Sequence, residues 1–393
     1  MAEAVRFGAS ISTSGRYALQ GRQALAGLQA WAKATNLDGG VTISQLGGKL
    51  PVALVHYDDA SSSERAVANV EKLIQVDRVH VLIGPYASDL TRAVVAVARQ
   101  HGKLLWNHGG ASDDIHRPGT GVVGILTPVS LYFAGLLELV RSIDADAKKA
   151  VFLYRRGSRF GRLATRGAQA VGRPPGFVVA ALTYSSLPDD LPQLWPKLRR
   201  HRPDLILGAG SFEDDCAIAR ETIAVGVGTK AFALTAGAMQ EFGQTLGTRA
   251  EGMLAPSQWE PDARYVVDFG PSPSQVARRI GAMGSAGDYP AAQAYAACLI
   301  AQRCLEEAGH ANDEALWRAA CALDCTTFFG RFRINPRTGL QSGHEMVWVQ
   351  WQGGRKVVVW PPSVAQARPA YPVSRPTSPT PSQASSWRDG PAL

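Results

Sequence analysis

Residues Val79–Asp114 read VHVLIGPYASDLTRAVVAVARQHGKLLWNHGGASDD. Two short apolar runs, HVLIG and KLLWN, each end in a small, polar, glycine-bearing turn. Between them, Asp89 to Gln100 has the spacing of a helix. A strand that runs through Gly-Pro-Tyr-Ala-Ser into a helix leaves free backbone N–H groups beside the Ser88 hydroxyl. The next strand ends alike, at Asn107-His108-Gly109-Gly110-Ala111-Ser112. In an open parallel α/β sheet, ligands sit outside the carboxyl ends of the strands, and helix N-termini there favour anions. The two turns therefore read as one half of a small-molecule site.

Outward from this stretch the same alternation continues. VRFGASI is a strand, Tyr17–Asn36 a helix, PVALVHYDD a strand and Ser63–Gln75 a helix. A second series follows with strands GVVGIL, AVFLYRR, FVVAALTY, DLILGAG and KAFALTA. Helices at Leu131–Ser142, Phe160–Val171, Leu191–Arg200 and Phe212–Val225 separate them. Near-continuous apolar strands alternating with helices mean parallel sheets covered on both faces. Two such series predict an α/β protein of two doubly wound, Rossmann-like lobes. After Ala250 the order breaks: EGMLAPSQW reads as a strand, residues 260–274 as a loop, Ala291–Ala308 and Asp313–Ala322 as helices. GRFRINPRTG reads as a strand and turn, and MVWVQWQGGRKVVVW as a hairpin turning at Gly353-Gly354. From about Pro361 the chain is rich in Pro, Ser and Thr without apolar periodicity, which predicts a disordered tail over 362–393.

Composition narrows the function. The 393 residues suffice for about two domains. The net charge of +8 is spread thinly. Its densest group, Arg155, Arg156, Arg159 and Arg162, reads as a solvated basic face, and no nucleic-acid motif accompanies it. The five cysteines form no CxxC pair and read as small buried hydrophobes; Cys321 and Cys325 share a face if their helix persists. No apolar run approaches the length of a membrane span. MAEAVRFGASIS shows no secretory leader, which leaves either a removed leader or a cytosolic protein.

The order of several segments carries a resemblance: FGASISTSGRYALQG, YDDASSSERAVANVEKLI, IGPYASDLT, WNHGGASD, RFGR, PDLILGAGSFED, AEGMLAPSQW, DYPAAQAYAA and FFGRFRINPRTG. Over roughly residues 4–360 the chain resembles the type I periplasmic binding proteins of the leucine/isoleucine/valine group, the substrate-binding components of ABC importers. The resemblance implies two lobes joined by three crossing segments, near 121–127, 251–258 and 330–338, that close on a ligand. It places 1–122 plus 253–332 in the first lobe and 123–252 plus 333–361 in the second. It implies a small-molecule ligand, an ABC permease as partner and an extracytoplasmic location. A cytosolic ligand sensor of the same fold is the alternative.

The resemblance also assigns site residues. Ser88, Gly109, Gly110 and Ala111 or Ser112 would bind a ligand carboxylate; a plain helix N-cap is the other reading of Ser88. Gln20 falls at a further contact position. Phe160 and Phe212 stand where tyrosines are common in the family. Ala236 stands where classical members place a glutamate for the ligand's ammonium. Either Glu213, Asp214 or Glu260 substitutes, or the ligand carries no α-amino group; an amino acid remains the leading cargo, with an amide, a short acid or an aromatic carboxylate also suited. Asp214 and Asp215 otherwise read as a solvent-facing helix-start pair. Tyr86, Trp106, Trp259 and Tyr289 are candidates for an aromatic rim, with Trp106 equally a core residue.

Catalytic readings rest on residue type alone. Ser88, His108 and Asp113 lack a GxSxG elbow. His101, His108, Asp114 and His116 match no metal-binding spacing. No P-loop and no GxGxxG turn suggests a nucleotide cofactor. The sequence predicts a binder with no catalytic residues, metal or cofactor.

Overall fold

The apolar strand Val5–Ile11 lies at the heart of a five-stranded parallel sheet, with Val52–Asp58 on one side and Val81–Ile83, Leu105–Asn107 and Val122–Gly124 in turn on the other. This computed structural model describes residues 4–173 and 176–373. A second sheet of seven strands runs Arg355–Trp360, Val347–Gln352, Leu254–Ser257, Ala231–Leu234, Leu205–Gly208, Lys149–Arg155, Val178–Tyr184. Its last five in that order are parallel, and the terminal hairpin joins them antiparallel. Both parallel sets have the same order, in which the first strand lies between the second and the third. Each lobe therefore has one switch point, where the crossover direction reverses and the strand ends leave a crevice.

Local chemistry starts the helices where the sheets need them. Ser62, Ser158, Ser211 and Asn312 each accept a backbone N–H at a helix start. The long helices Ala18–Leu37 and Tyr289–Ala308 pack side by side on the first sheet. Gly27 allows this closeness: a Cβ there would lie 2.0 Å from the Ala291 carbonyl oxygen. Three connections between the lobes are stitched together. Thr127 N–H donates to Gln258 Oε1, Gln258 Nε2 donates to the Thr127 carbonyl, and the Thr127 hydroxyl bonds to His344. Gly124 N–H reaches the Gly339 carbonyl.

Several boundaries differ from the sequence reading. Leu254–Ser257 belongs to the second sheet, so the boundary at 253 falls too early; its apolar side chains match either lobe, and only pairing decides. Val122–Gly124 pairs with Leu105–Asn107, which carries the first sheet two residues past 122. The loop expected at 260–274 ends two residues early, at 272, and is followed by an unforeseen helix, Pro273–Gly281, opened by a capping box of Ser272 and Gln275. The helix before Cys325 ends at Ala322, so Cys321 and Cys325 share no helix face. Residues 362–373 are not featureless: Gln350 bonds to the Ala370 backbone on both sides, Gln366 to Val358, and the Tyr371 hydroxyl to Asp144. Polar side chains of the terminal hairpin hold this strap, a signal no periodicity carries. The remainder of the expected tail, 374–393, lies outside the described residues. No helix among the described residues is long and apolar enough to cross a membrane.

Candidate functional site

The carboxyl ends of both sheets face one cavity of about 680 Å³. From the first lobe it is lined by Arg16, Tyr17, Gln20, Tyr86, Ala87, Ser88, Asp89, Arg92, Gly109, Ala111, Tyr289 and Gln293. From the second it is lined by Arg155, Arg156, Ser158, Arg159, Phe160, Gly210, Phe212, Asp214, Ala236 and Met239. Tyr132, Gln258 and Met346, on or near the connections, complete the wall.

The first-lobe wall presents hydrogen-bond donors to the cavity. The helix Ser88–Gln100 opens at the cavity, and its first turn leaves N–H groups without intrahelical acceptors. Ala87, just before it, is held at φ +78°, a conformation that costs an alanine energy and that clusters at functional sites. The Ser88 hydroxyl accepts the Ser112 N–H at 3.1 Å, which leaves its own proton free to donate. Asn107 orders the neighbouring turn: its Oδ1 accepts the N–H groups of Gly109 and Gly110, and its Nδ2 donates to the Gly110 carbonyl. The Ala111 N–H has no hydrogen-bond partner among the described residues. Ser88 Oγ–H and Ala111 N–H thus join the first-turn N–H groups as donors open to a ligand oxygen. Replacing Ser88 with alanine should weaken carboxylate binding by about 1.5–3 kcal/mol, the worth of a charge-assisted hydrogen bond. Calorimetry would check it; an unchanged affinity would place the carboxylate elsewhere.

The second-lobe wall is held by its own ion pairs. Arg155 grips Asp214 through two N–H groups, at 3.0 and 2.5 Å, and the Tyr184 hydroxyl adds a third bond to Asp214. Asp215 is sealed behind the wall, accepting from Gly210 N–H, the Thr235 hydroxyl and Ala236 N–H. Burial pushes its carboxyl up to about 6 against those three donors. Phe160 meets Tyr132 edge to face, ring centres 5.7 Å apart. Across the cleft, Asp114 of the first lobe takes Arg159 of the second as well as its own Arg92. Gln20 touches Met239 Sδ, and Gln23 donates to Glu241 at 3.0 Å.

The cavity brings together Gln20, Tyr86, Ser88, Gly109, Ala111, Phe160, Phe212 and Ala236 of the expected set, and Tyr289 with them. It leaves out the others. Trp106 has no exposure and lies in the core, because its strand directs it between sheet and helix. Trp259 is equally buried, its indole N–H on the Phe328 carbonyl. Gly110 and Ser112 sit behind the wall, their N–H groups spent on Asn107 and Ser88. Glu213 is exposed outside the cavity. Ser88 is not an N-cap; that position is Ala87, and no side chain caps the helix. Asp214 and Asp215 do not face solvent, since Arg155 and the backbone donors make their burial tolerable. Arg155, Arg156 and Arg159 are exposed, as a solvated basic face would be, but they also line one wall of the cleft. Their role was hidden because the carboxylate partners lie far away in sequence; the Ser158 cap was the one local clue that this turn opens a helix at the strand end. His108 is buried, and that burial pushes its imidazole down to about 4.

A family profile described as periplasmic binding protein matches residues 4–356. The chain belongs to the periplasmic binding protein family. Its two lobes have the type I fold of leucine-binding members of that family. A leucine-binding protein from Thermotoga maritima superposes with a TM-score of 0.78 at 17% identity, over 90% of this chain and 97% of that one. A branched-chain amino acid transporter substrate-binding protein from Streptococcus pneumoniae, in complex with isoleucine, gives 0.74 at 18%, over 90% and 97%. A solute-binding protein of an ABC transporter from R. palustris, in complex with benzoate, gives 0.74 at 18%, over 93% and 98%. Members of the family are solute-binding proteins, and that role explains a cleft with ordered donors.

Proposed function

We propose that this chain is the substrate-binding component of an ABC-type importer, working outside the cytoplasm and delivering its cargo to a permease. It captures one small organic solute between the lobes and catalyses nothing. The observation that carries this reading is a single cavity at both switch points, with the Ser88 hydroxyl and the Ala111 N–H unspent on its wall. These donors suit a carboxylate or amide end. The similar proteins bound to isoleucine and to benzoate share that end, which supports the class of ligand.

A thermal-shift screen of amino acids, amides and organic acids tests it. A ligand at about 100 times its dissociation constant should stabilise the fold by about 2.7 kcal/mol. A chemically altered ligand recovered after long incubation would rule out a pure binder. Ligand should also favour closure about the three connections, a motion of the hinge type. Small-angle scattering should then give a smaller radius of gyration with ligand than without. Identical profiles at proven saturation would argue for a rigid sensor module instead.

A further inference from the structure

The carboxylates of the cleft are all engaged. Asp89 and Asp214 are the two acids on its wall among the described residues. Asp89 is paired with Arg16 and accepts the Tyr17 hydroxyl. Asp214 is gripped by Arg155 and Tyr184. Asp114, just outside, lies between Arg92 and Arg159. Glu260 is buried against Lys356, and Asp215 is sealed by three donors. At Ala236 there is only a methyl group. An ammonium entering this cleft would have to break an arginine ion pair or rest on neutral acceptors alone, and burying a charge without a counter-charge is costly. Five arginines line the cleft across its two walls, against two aspartates on it and Asp114 just outside, and this excess sets a field that opposes a cation and favours an anion.

Two other groups on the wall lack partners. Gln20 Oε1 and Gln293 Oε1 are buried and make no hydrogen bond, on side chains 8% and 1% exposed. A buried acceptor left unpaired costs free energy that a ligand donor would recover. Both atoms are acceptors, so the group each meets is a donor, and a hydroxyl supplies one without a charge that needs compensation.

We infer that the cargo is a hydroxylated organic acid without an ammonium group, its carboxylate on the Ser88 turn and its hydroxyl on Gln20 or Gln293. This rests on the solute-binding reading above and narrows it. The aromatic side chains of the wall, Tyr86, Tyr289, Phe160 and Phe212 among them, suit an apolar body between the two polar ends.

The test is calorimetry on the full chain with one matched series: phenylalanine, 3-phenylpropanoate, and the 2-hydroxy and 4-hydroxyphenyl derivatives of that acid. The better hydroxylated acid should bind at least 10-fold more tightly than 3-phenylpropanoate, and that acid at least 10-fold more tightly than phenylalanine. Gln293→Leu should erase most of the hydroxyl's 10-fold, read within the variant as the ratio of its affinities for the hydroxylated acid and 3-phenylpropanoate. Gln20→Leu is the second variant should the first fail to fold. Phenylalanine binding as tightly as its des-amino acid would overturn the inference and leave the solute-binding reading intact, as would leucine matching 4-methylpentanoate. No binding by any of these, or by any solute of the wider screen, would overturn both.

Discussion

Replacing Lys356 with methionine should lower the unfolding free energy by about 3–5 kcal/mol, the usual cost of leaving buried charges without their partner. Lys356 comes from the second-lobe hairpin and is 4% exposed. Its Nζ reaches Asp288 at 2.8 Å, Glu260 at 3.4 Å and the Ala238 carbonyl at 2.5 Å. Asp288 precedes the long first-lobe helix and also accepts the Gln240 N–H and a bond from Gln23. The ammonium therefore sits where both lobes meet. Burial alone would push its pKa down, but Glu260 and Asp288 hold it above the ordinary lysine value. Methionine matches the volume and removes the charge, so the carboxylates lose a counter-ion with no cavity to confuse the result.

The deficit should depend on pH, and its sign is fixed by Glu260. Burial raises the Glu260 carboxyl above the ordinary range even with Lys356 beside it. Without the lysine it rises further. A carboxyl whose folded pKa exceeds its unfolded value binds more protons in the folded state, so its contribution to stability improves as pH falls. Urea melts at pH 8 and pH 5 should show the gap between variant and parent narrowing at pH 5. Adding Glu260→Gln to the methionine variant should recover part of the loss at pH 8. An unchanged midpoint, or a gap that widens in acid, would show that the lysine is not compensating these carboxylates.

What was legible in the sequence is what short range decides. Apolar runs such as VLI and LILG, each followed by a glycine-bearing turn, disclose the strand ends, and strand ends in parallel sheets disclose where a ligand sits. Ser88 and Gly109 were readable for that reason. The charge pairing was not. Arg155 and Asp214 are separated by two helices and two strands, and nothing in the run of arginines points to a partner. Asp214-Asp215 has the appearance of acids favoured by any helix start, and only the fold shows donors closing over them. Trp106 stayed open between rim and core for a different reason: in a three-residue strand, the face a side chain takes depends on a pleat too short to read from alternation. The missed helix Pro273–Gly281 carried its signal openly, in Ser272-Pro-Ser-Gln275, but lay inside a stretch dominated by loop-forming residues.

Substituting alanine for Gly109 should reduce ligand affinity by about 10- to 100-fold, the order of loss when a charge-assisted hydrogen bond of about 1.5–3 kcal/mol is pulled out of reach. Gly109 pairs with Tyr86 in an isolated parallel bridge, and its carbonyl accepts the Ala87 N–H at 3.1 Å. A Cβ on Gly109 would lie 2.4 Å from Tyr86 Cα and 2.5 Å from the Pro85 carbonyl oxygen. Both are backbone atoms, so no side-chain rotation relieves the clash. The two turns must part, which moves Ala111 N–H away from the Ser88 hydroxyl and loosens the Ser112-to-Ser88 bond. The overpacking should also cost about 1–3 kcal/mol of stability. Thermal melts must therefore confirm a folded variant before its affinity is read. Gly281→Ala is the control: nothing lies within 4 Å of its would-be Cβ, so affinity should not change. Should the folded Gly109→Ala protein bind within a few-fold of the parent, the spacing of these two turns does not set the anion site, and the assignment of the carboxylate to Ser88 falls with it.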